Sequence, residues 1–255
     1  MTMKGSFLTD QGKVRQHNED AGGVYLNEQN QLLAVVADGM GGHQAGDIAS
    51  QLAVSTLHNQ WEETSAIQGP KAAENWLREA ILEVNQVILQ HSRDHEECRG
   101  MGTTVVAAVC DDQFATVGHI GDSRVYIANH YGFKRVTEDH SLVNELVRSG
   151  QISEEQAESH PRKNVLLKAL GTDENISPDI VTFEFEEDDR LLLCSDGLTN
   201  KVNEDELSRI KEYDGEWQEL CQSLVDLANE RGGEDNITLA IVHHYEDPNV
   251  KEGAD

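Results

Sequence analysis

The sequence predicts an α+β domain, because apolar β-branched runs and helical periodicity occupy separate blocks and no strand–helix unit repeats. A chain of 255 residues can bury a sizeable core within one domain, and no linker-like stretch divides residues 1–245. Residues 246–255 read as an acidic tail. GSFLTDQG and the run from Val24 to Ala37 read as opening strands, the second run turning through NEQNQ. From Gln44 to Trp61, Ala45, Ile48, Ala49, Leu52, Ala53, Thr56 and Leu57 recur at steps of three and four, the signature of one buried helical face. From Pro70 to Asp94 the stripe is Ala73, Trp76, Leu77, Ala80, Ile81, Val84, Val87 and Ile88. Pro70 suits the first turn of that helix, where its missing N–H costs nothing.

Three β-branched runs, TTVVAAVC, FATVGHI and RVYIA, separated by DDQ and GDS, predict an antiparallel meander from Thr103 to Ala128. Residues 140–171 change character. SLVNELVRSG and SEEQAESH suggest short helical pieces, HPRKN follows, and few large apolar residues lie between Ser149 and Asn164, so an exposed, mobile insertion is expected. DIVTFEF and RLLLCS restore strands, two helices fit Asn203 to Arg231, and NITLAIVHHY closes the domain as a strand.

Lys and Arg number 20 against 47 Asp and Glu, a formal charge of −27, and a field of that sign repels phosphate backbones and anionic headgroups. Nucleic acid is therefore excluded as a partner. The longest apolar runs, such as LLAVVA and TTVVAAVC, fall far short of the roughly 18 residues a bilayer span needs, so no membrane insertion is expected. MTMKGSFLTDQG lacks the features of a secretory signal, which predicts a cytoplasmic protein. Cys98, Cys110, Cys194 and Cys221 fall at irregular spacings without a CxxC pair and read as reduced, buried thiols.

Most of the acidic excess is solvated surface, but some acids sit where an apolar strand meets glycine. Asp38 ends VVADG, Asp122 lies in HIGDSR, Asp196 in LLLCSDG, and Asp235 in GGEDN just before a strand. Glu19 and Asp20 in VRQHNED join them. Each Asp–Gly taken singly is ordinary turn chemistry. Brought together, such carboxylates drive one another toward protonation unless cations intervene, and oxygen donors without a Cys–His set suit hard ions, Mn2+ or Mg2+.

The succession VRQHNED, VVADGMGGH, MGTT, GDSR, CSDGLTN and GGEDNIT, in this order from about residue 4 to 245, resembles the metal-dependent serine/threonine protein phosphatases of the type 2C, or PPM, family. HSLVNELVRSG, HPRKN and ALGTD resemble its stand-alone bacterial branch, whose members oppose membrane-bound serine/threonine kinases. The resemblance implies a central antiparallel β-sandwich flanked by helical layers, with residues 140–171 as a flap beside a metal-bearing cleft. It implies that Asp38 bridges two ions and that the Gly39 carbonyl joins one of them. Asp196 and Asp235 would hold the other, and Glu19 would reach the centre through water. Asp20 would stand behind these ligands, and Asp122 with Asp196 would hold a third, weaker ion. Arg15 would grip the substrate phosphate, while a metal-bridging hydroxide attacks phosphorus. The expected substrates are phosphorylated proteins, including a serine/threonine kinase and its targets, and the expected state is a monomer. His17, His43 and His119 lie beside these motifs but read as structural hydrogen-bonders.

Two positions depart from the family pattern: Met40 replaces the histidine that many eukaryotic members carry after Asp–Gly and cannot donate a proton, and Asn200 stands where some relatives have Asp. Rival readings fail on single residues. A dinucleotide fingerprint beginning at Gly39 needs glycine where Gln44 stands, and a calcium loop over Asp173–Glu184 has Pro178 at the turn that demands glycine. None of the four cysteines has the arginine six positions on that a cysteine phosphatase requires. A catalytically silent phosphoprotein-binding member is the remaining alternative; its mark would be loss of acids that this chain keeps.

Overall fold

The computed structural model describes residues 2–42 and 45–245. The first half of the chain forms β1 (Thr2–Asp10), β2 (Asp20–Leu26), β3 (Leu32–Met40), α1 (Ala45–Glu63), α2 (Pro70–Asp94), β4 (Gly102–Thr103), β5 (Val105–Cys110), β6 (Phe114–Ile120) and β7 (Arg124–Asn129). The second half forms β8 (Gly132–Arg135), α3 (Leu142–Arg148), α4 (Glu154–Glu158), β9 (Asp179–Glu184), β10 (Arg190–Cys194), α5 (Asp196–Thr199), α6 (Glu204–Leu207), α7 (Trp217–Glu230) and β11 (Ile237–Tyr245). His43, Gln44 and the tail 246–255 lie outside the described residues.

Two antiparallel sheets stack face to face. One has the order β1-β11-β10-β7-β8 and the other β2-β3-β5-β6-β9, with β4 pairing β3. Strand periodicity builds the layers. Leu33, Val35 and Ala37 of β3 face Leu57, Trp61, Ile81 and Ile88 of α1 and α2, whereas Leu32, Ala34 and Val36 face Leu191, Leu193 and Val242 of the other sheet. Both faces of β3 are therefore dry, which is why its sequence is an unbroken apolar run. On the far side, Trp217, Cys221, Leu224 and Val225 of α7 cover Leu192, Leu239 and Ile241. The result is the sandwich between helical layers that the sequence motifs imply. All four cysteines are free and buried.

The expected three-strand meander is corrected in one place. β5 and β6 pair, but β7 leaves for the opposite sheet and pairs β10 and β8. The departure occurs at Gly121, whose φ of 108° is unsuited to L side chains and whose missing Cβ would lie 2.5 Å from Thr104. β9 occupies the edge of β6 that β7 would have taken.

Residues 140–171 carry α3 and α4, each capped by a serine: Ser141 accepts from the Asn144 N–H, and Ser153 forms a capping box with Gln156. None of the residues whose exposure is described between 149 and 164 is buried. Bridge Ser141–Leu166 ties the two ends of the segment to each other, and bridge Thr103–Leu170 ties one end to the sandwich. No described helix is long and apolar enough to cross a membrane.

Candidate metal centre

The acids singled out at strand ends meet at one edge of the sandwich. Asp20 opens β2 directly opposite Asp38 near the end of β3, so register alone brings two carboxylates side by side. The Asp38 backbone is held on both sides. Its N–H donates to Thr104 Oγ1 at 3.0 Å, and its carbonyl accepts from Thr104 N at 2.9 Å and from Thr103 Oγ1 at 2.9 Å. Gly39 donates its N–H to the Glu19 carbonyl, and a Cβ there would sit 2.1 Å from the Gly46 carbonyl oxygen. Only glycine allows the start of α1 to come this close.

The second sheet contributes through Ser195, which follows β10 and hands the chain to α5 at Asp196. Ser195 Oγ donates to Asp20 Oδ2 at 2.7 Å, a buried bond that joins the two sheets, and accepts from Thr238 N at 3.1 Å. Asn200 Nδ2 in turn donates to Asp196 Oδ2 at 3.0 Å. Asn236 ties the remaining pieces together: its Oδ1 accepts the Glu19 N–H at 2.8 Å, while its Nδ2 donates to the carbonyls of Gln11 and His17 at 2.9 and 3.0 Å. The loop carrying Arg15 and Glu19 is thus fixed beside Asp235. Arg15 Nη2 donates to Asp235 Oδ2 at 2.8 Å, and its Nε reaches the Glu234 carbonyl at 3.4 Å.

The electrostatics mark these acids as one cluster. Burial, reinforced by the charges of Asp20, Asp196, Asp122 and Asp235, holds the Asp38 carboxyl well above its ordinary value. Burial raises Asp20 to about 7 against the hydrogen bonds from Ser195 and Thr238, and raises Asp122 to about 7 with help from Asp196 and Asp139. Asp196 is raised by burial and then by Asp235, and Glu19 chiefly by burial. Carboxylates that raise one another in this way either take up protons or share divalent cations. The donors are all oxygen, which fits a hard ion.

Thr104, Ser195 and Asn236 are the members that sequence reasoning passed over. Each lies inside a quoted motif, next to an acid, but a neutral side chain announces no chemistry until its partners are seen. Met40 pairs with Gly102 of β4, and His43 lies outside the described residues.

With this geometry in hand, comparison with known proteins is direct. The Protein phosphatase 2C family profile matches residues 10–236. The serine/threonine phosphatase Stp of Listeria monocytogenes is 46% identical over 240 residues, covering 94% of this chain and 95% of the relative. The crystal structure of the serine/threonine phosphatase Stp1 from Staphylococcus aureus superposes with a TM-score of 0.90 at 38% identity, covering 96% of each chain. The catalytic domain of the phosphatase PstP, solved with two manganese ions, gives 0.83 at 30% identity, covering 96% of this chain and 99% of that one. The chain belongs to the protein phosphatase 2C family, and it is a serine/threonine protein phosphatase.

Proposed function

We propose that this phosphatase acts on phosphoserine and phosphothreonine in proteins through two Mn2+ or Mg2+ ions held by Asp38, the Gly39 carbonyl, Asp196, Asp235 and Glu19. The observation that carries this reading is the convergence of strand-end acids from both sheets on one edge, each raising the pKa of its neighbours. Bound there, the ions supply an activated water and neutralise charge on the phosphoryl oxygens. The rest is the work of this chain. Asp20, bonded to Ser195, stands behind the ligands and keeps the two sheets in register around them. Arg15 has a planar fork suited to two phosphate oxygens, and its Nη1 makes no hydrogen bond among the described residues. Asp122, facing the same cavity as Asp196, is assigned a third and weaker ion.

The targets include a serine/threonine kinase and its substrates, a reading supported by the resemblance of the flap sequences to the stand-alone bacterial branch. Four free, buried thiols favour a reducing, cytoplasmic setting. Phosphate release from a phosphothreonine peptide tests the reading: it is expected with Mn2+, and it should stop on adding a chelator. Peptide binding without release under both conditions would establish the silent phosphoprotein-binding alternative instead.

The flap, residues 140–171, borders a cavity of about 730 Å3 that Asp122, Asn144, Lys163, Asp196 and Asn200 line. It is assigned to substrate choice and takes no part in bond breaking. Its exposed middle and end-only anchoring predict rapid local opening. In hydrogen exchange, amides from Ser149 to Asn164 should label early, while those of β5 stay protected; equal protection would remove the case for a mobile flap.

A further inference from the structure

His140 begins the flap, yet its contacts reach back to the turn that carries Asp122. The Gly121 N–H donates to His140 Nδ1 at 3.1 Å, and the His140 N–H donates to the Gly121 carbonyl at 2.9 Å. Two hydrogen bonds between the same pair of residues fix the peptide immediately before Asp122. The His140 carbonyl meanwhile accepts the Leu167 N–H at 2.7 Å, so the two ends of the flap close on this one residue. The imidazole is itself held from two sides. It stacks on His119 of β6 with ring centroids 4.6 Å apart and planes 9° from parallel, and its Nε2 lies 3.3 Å from Asp179 Oδ2 on β9.

On distance alone, His119, His140 and Asp179 suit a cation, since their donor atoms lie within 4.8 Å of one another. The hydrogen bonds decide otherwise. Because His140 Nδ1 accepts from a backbone N–H, the neutral ring carries its proton on Nε2 and offers no lone pair there. His119 Nε2 faces the Glu138 carbonyl at 2.9 Å and must donate to it. The Lys168 ammonium, 3.4 Å from His140 Nε2, adds a charge that repels a cation. The cluster is a support for a ring, not a metal site.

We propose that His140 is a positioning residue that sets Asp122 for the third ion and moors the flap to the same turn. Occupancy of the third ion and the seating of the flap then depend on one hydrogen-bonded pair. The inference rests on Asp122 being an ion ligand, and the experiment separates the two claims. Intact wild-type protein and variants are titrated with Mn2+, and free ion is followed by the electron paramagnetic resonance signal of the aquo ion. Asp122→Ala should abolish the weakest binding step. His140→Phe keeps the stack on His119 but leaves the Gly121 N–H without an acceptor. It should weaken that step about 10-fold or more, the usual scale for a group that orients a ligand, and leave the two tight ions unmoved. His140→Asn, whose Oδ1 takes the place of Nδ1, should recover affinity to within a few-fold of wild type. If the phenylalanine variant does not fold, His140→Gln serves: its amide reaches Asp179 but it has no acceptor at the δ position that faces Gly121, and the same loss is expected. Weak binding unchanged in the His140 variants but lost in Asp122→Ala would overturn the positioning role alone. A weak step that survives Asp122→Ala, or a wild type that binds only two ions, would overturn the ligand assignment and this inference with it.

Discussion

Asp38→Asn is expected to erase the rise in melting temperature that Mn2+ gives the wild-type protein and to lower kcat/KM by about 10³-fold or more. The catalytic figure follows from the several kcal/mol of charge stabilisation that metal ions supply at phosphoryl oxygens. The thermal one follows from linkage. Free ion at about 100 times its dissociation constant adds about 2.7 kcal/mol, or about 5–10 °C for a domain of this size. The side chain of Asp38 sits among Asp20, Asp196, Asp122 and Asp235, so an uncharged isostere removes repulsion as well as a proposed ligand. In chelator, the variant should melt no lower than wild type. The pH dependence has a definite sign. Asp20 and Asp122 titrate near 7 when folded but near the ordinary 3.8 when unfolded, so without metal the folded form binds more protons across that interval. Their contribution to stability is present below the unfolded value and is lost as pH rises toward 7. Ions bind the deprotonated acids, so the Mn2+-induced rise should grow from pH 5 to pH 8. An equal rise at both ends of that range, or one retained in Asp38→Asn, would contradict the assignment of these acids to a metal centre.

Arg15→Ala is the second large effect: kcat/KM should fall by about 10- to 150-fold, the range expected for a lost charge-assisted contact of about 1.5–3 kcal/mol. The rival role is visible in the structure, where Arg15 is paired with Asp235, a proposed ligand. Its side chain is 47% exposed, and an ion pair that open to water contributes little to folding. The variant should therefore stay folded and keep almost all of the Mn2+-induced thermal shift. Wild-type kinetics would return Arg15 to the ordinary surface, and loss of the thermal shift would make it a guardian of Asp235. Arg15→Lys retains the charge but not the fork, so only partial recovery is expected.

What was legible in the sequence divides along a physical line. Asp38 and Asp196 could be found because a carboxylate at the end of an apolar run demands an explanation. The helices of residues 45–63 and 70–94 could be found because one face of each is almost entirely apolar. Thr104, Ser195 and Asn236 could not, since their hydrogen bonds join segments up to 225 residues apart and no local pattern encodes such a meeting. The passage of β7 into the other sheet was hidden for a related reason. Alternation tells which residues form a strand and which face they present, but the partner strand is chosen by the whole fold. His140 reads in sequence as one more residue ahead of a short helix; its contacts with Gly121, His119 and Asp179 exist only once β6, β9 and the flap are assembled.

The place of β11 has a consequence for how the enzyme comes into being. Although β11 is the last strand among the described residues, it lies between β1, the first, and β10, hydrogen-bonded to both. During synthesis the first sheet cannot close until residues 237–245 have left the ribosome, and Asp235 and Asn236 arrive immediately ahead of them. An unfinished polypeptide therefore has neither a closed sandwich nor its last acid. Lacking the proposed ligand Asp235 and the strand that seats it, such a chain is expected to show no phosphatase activity.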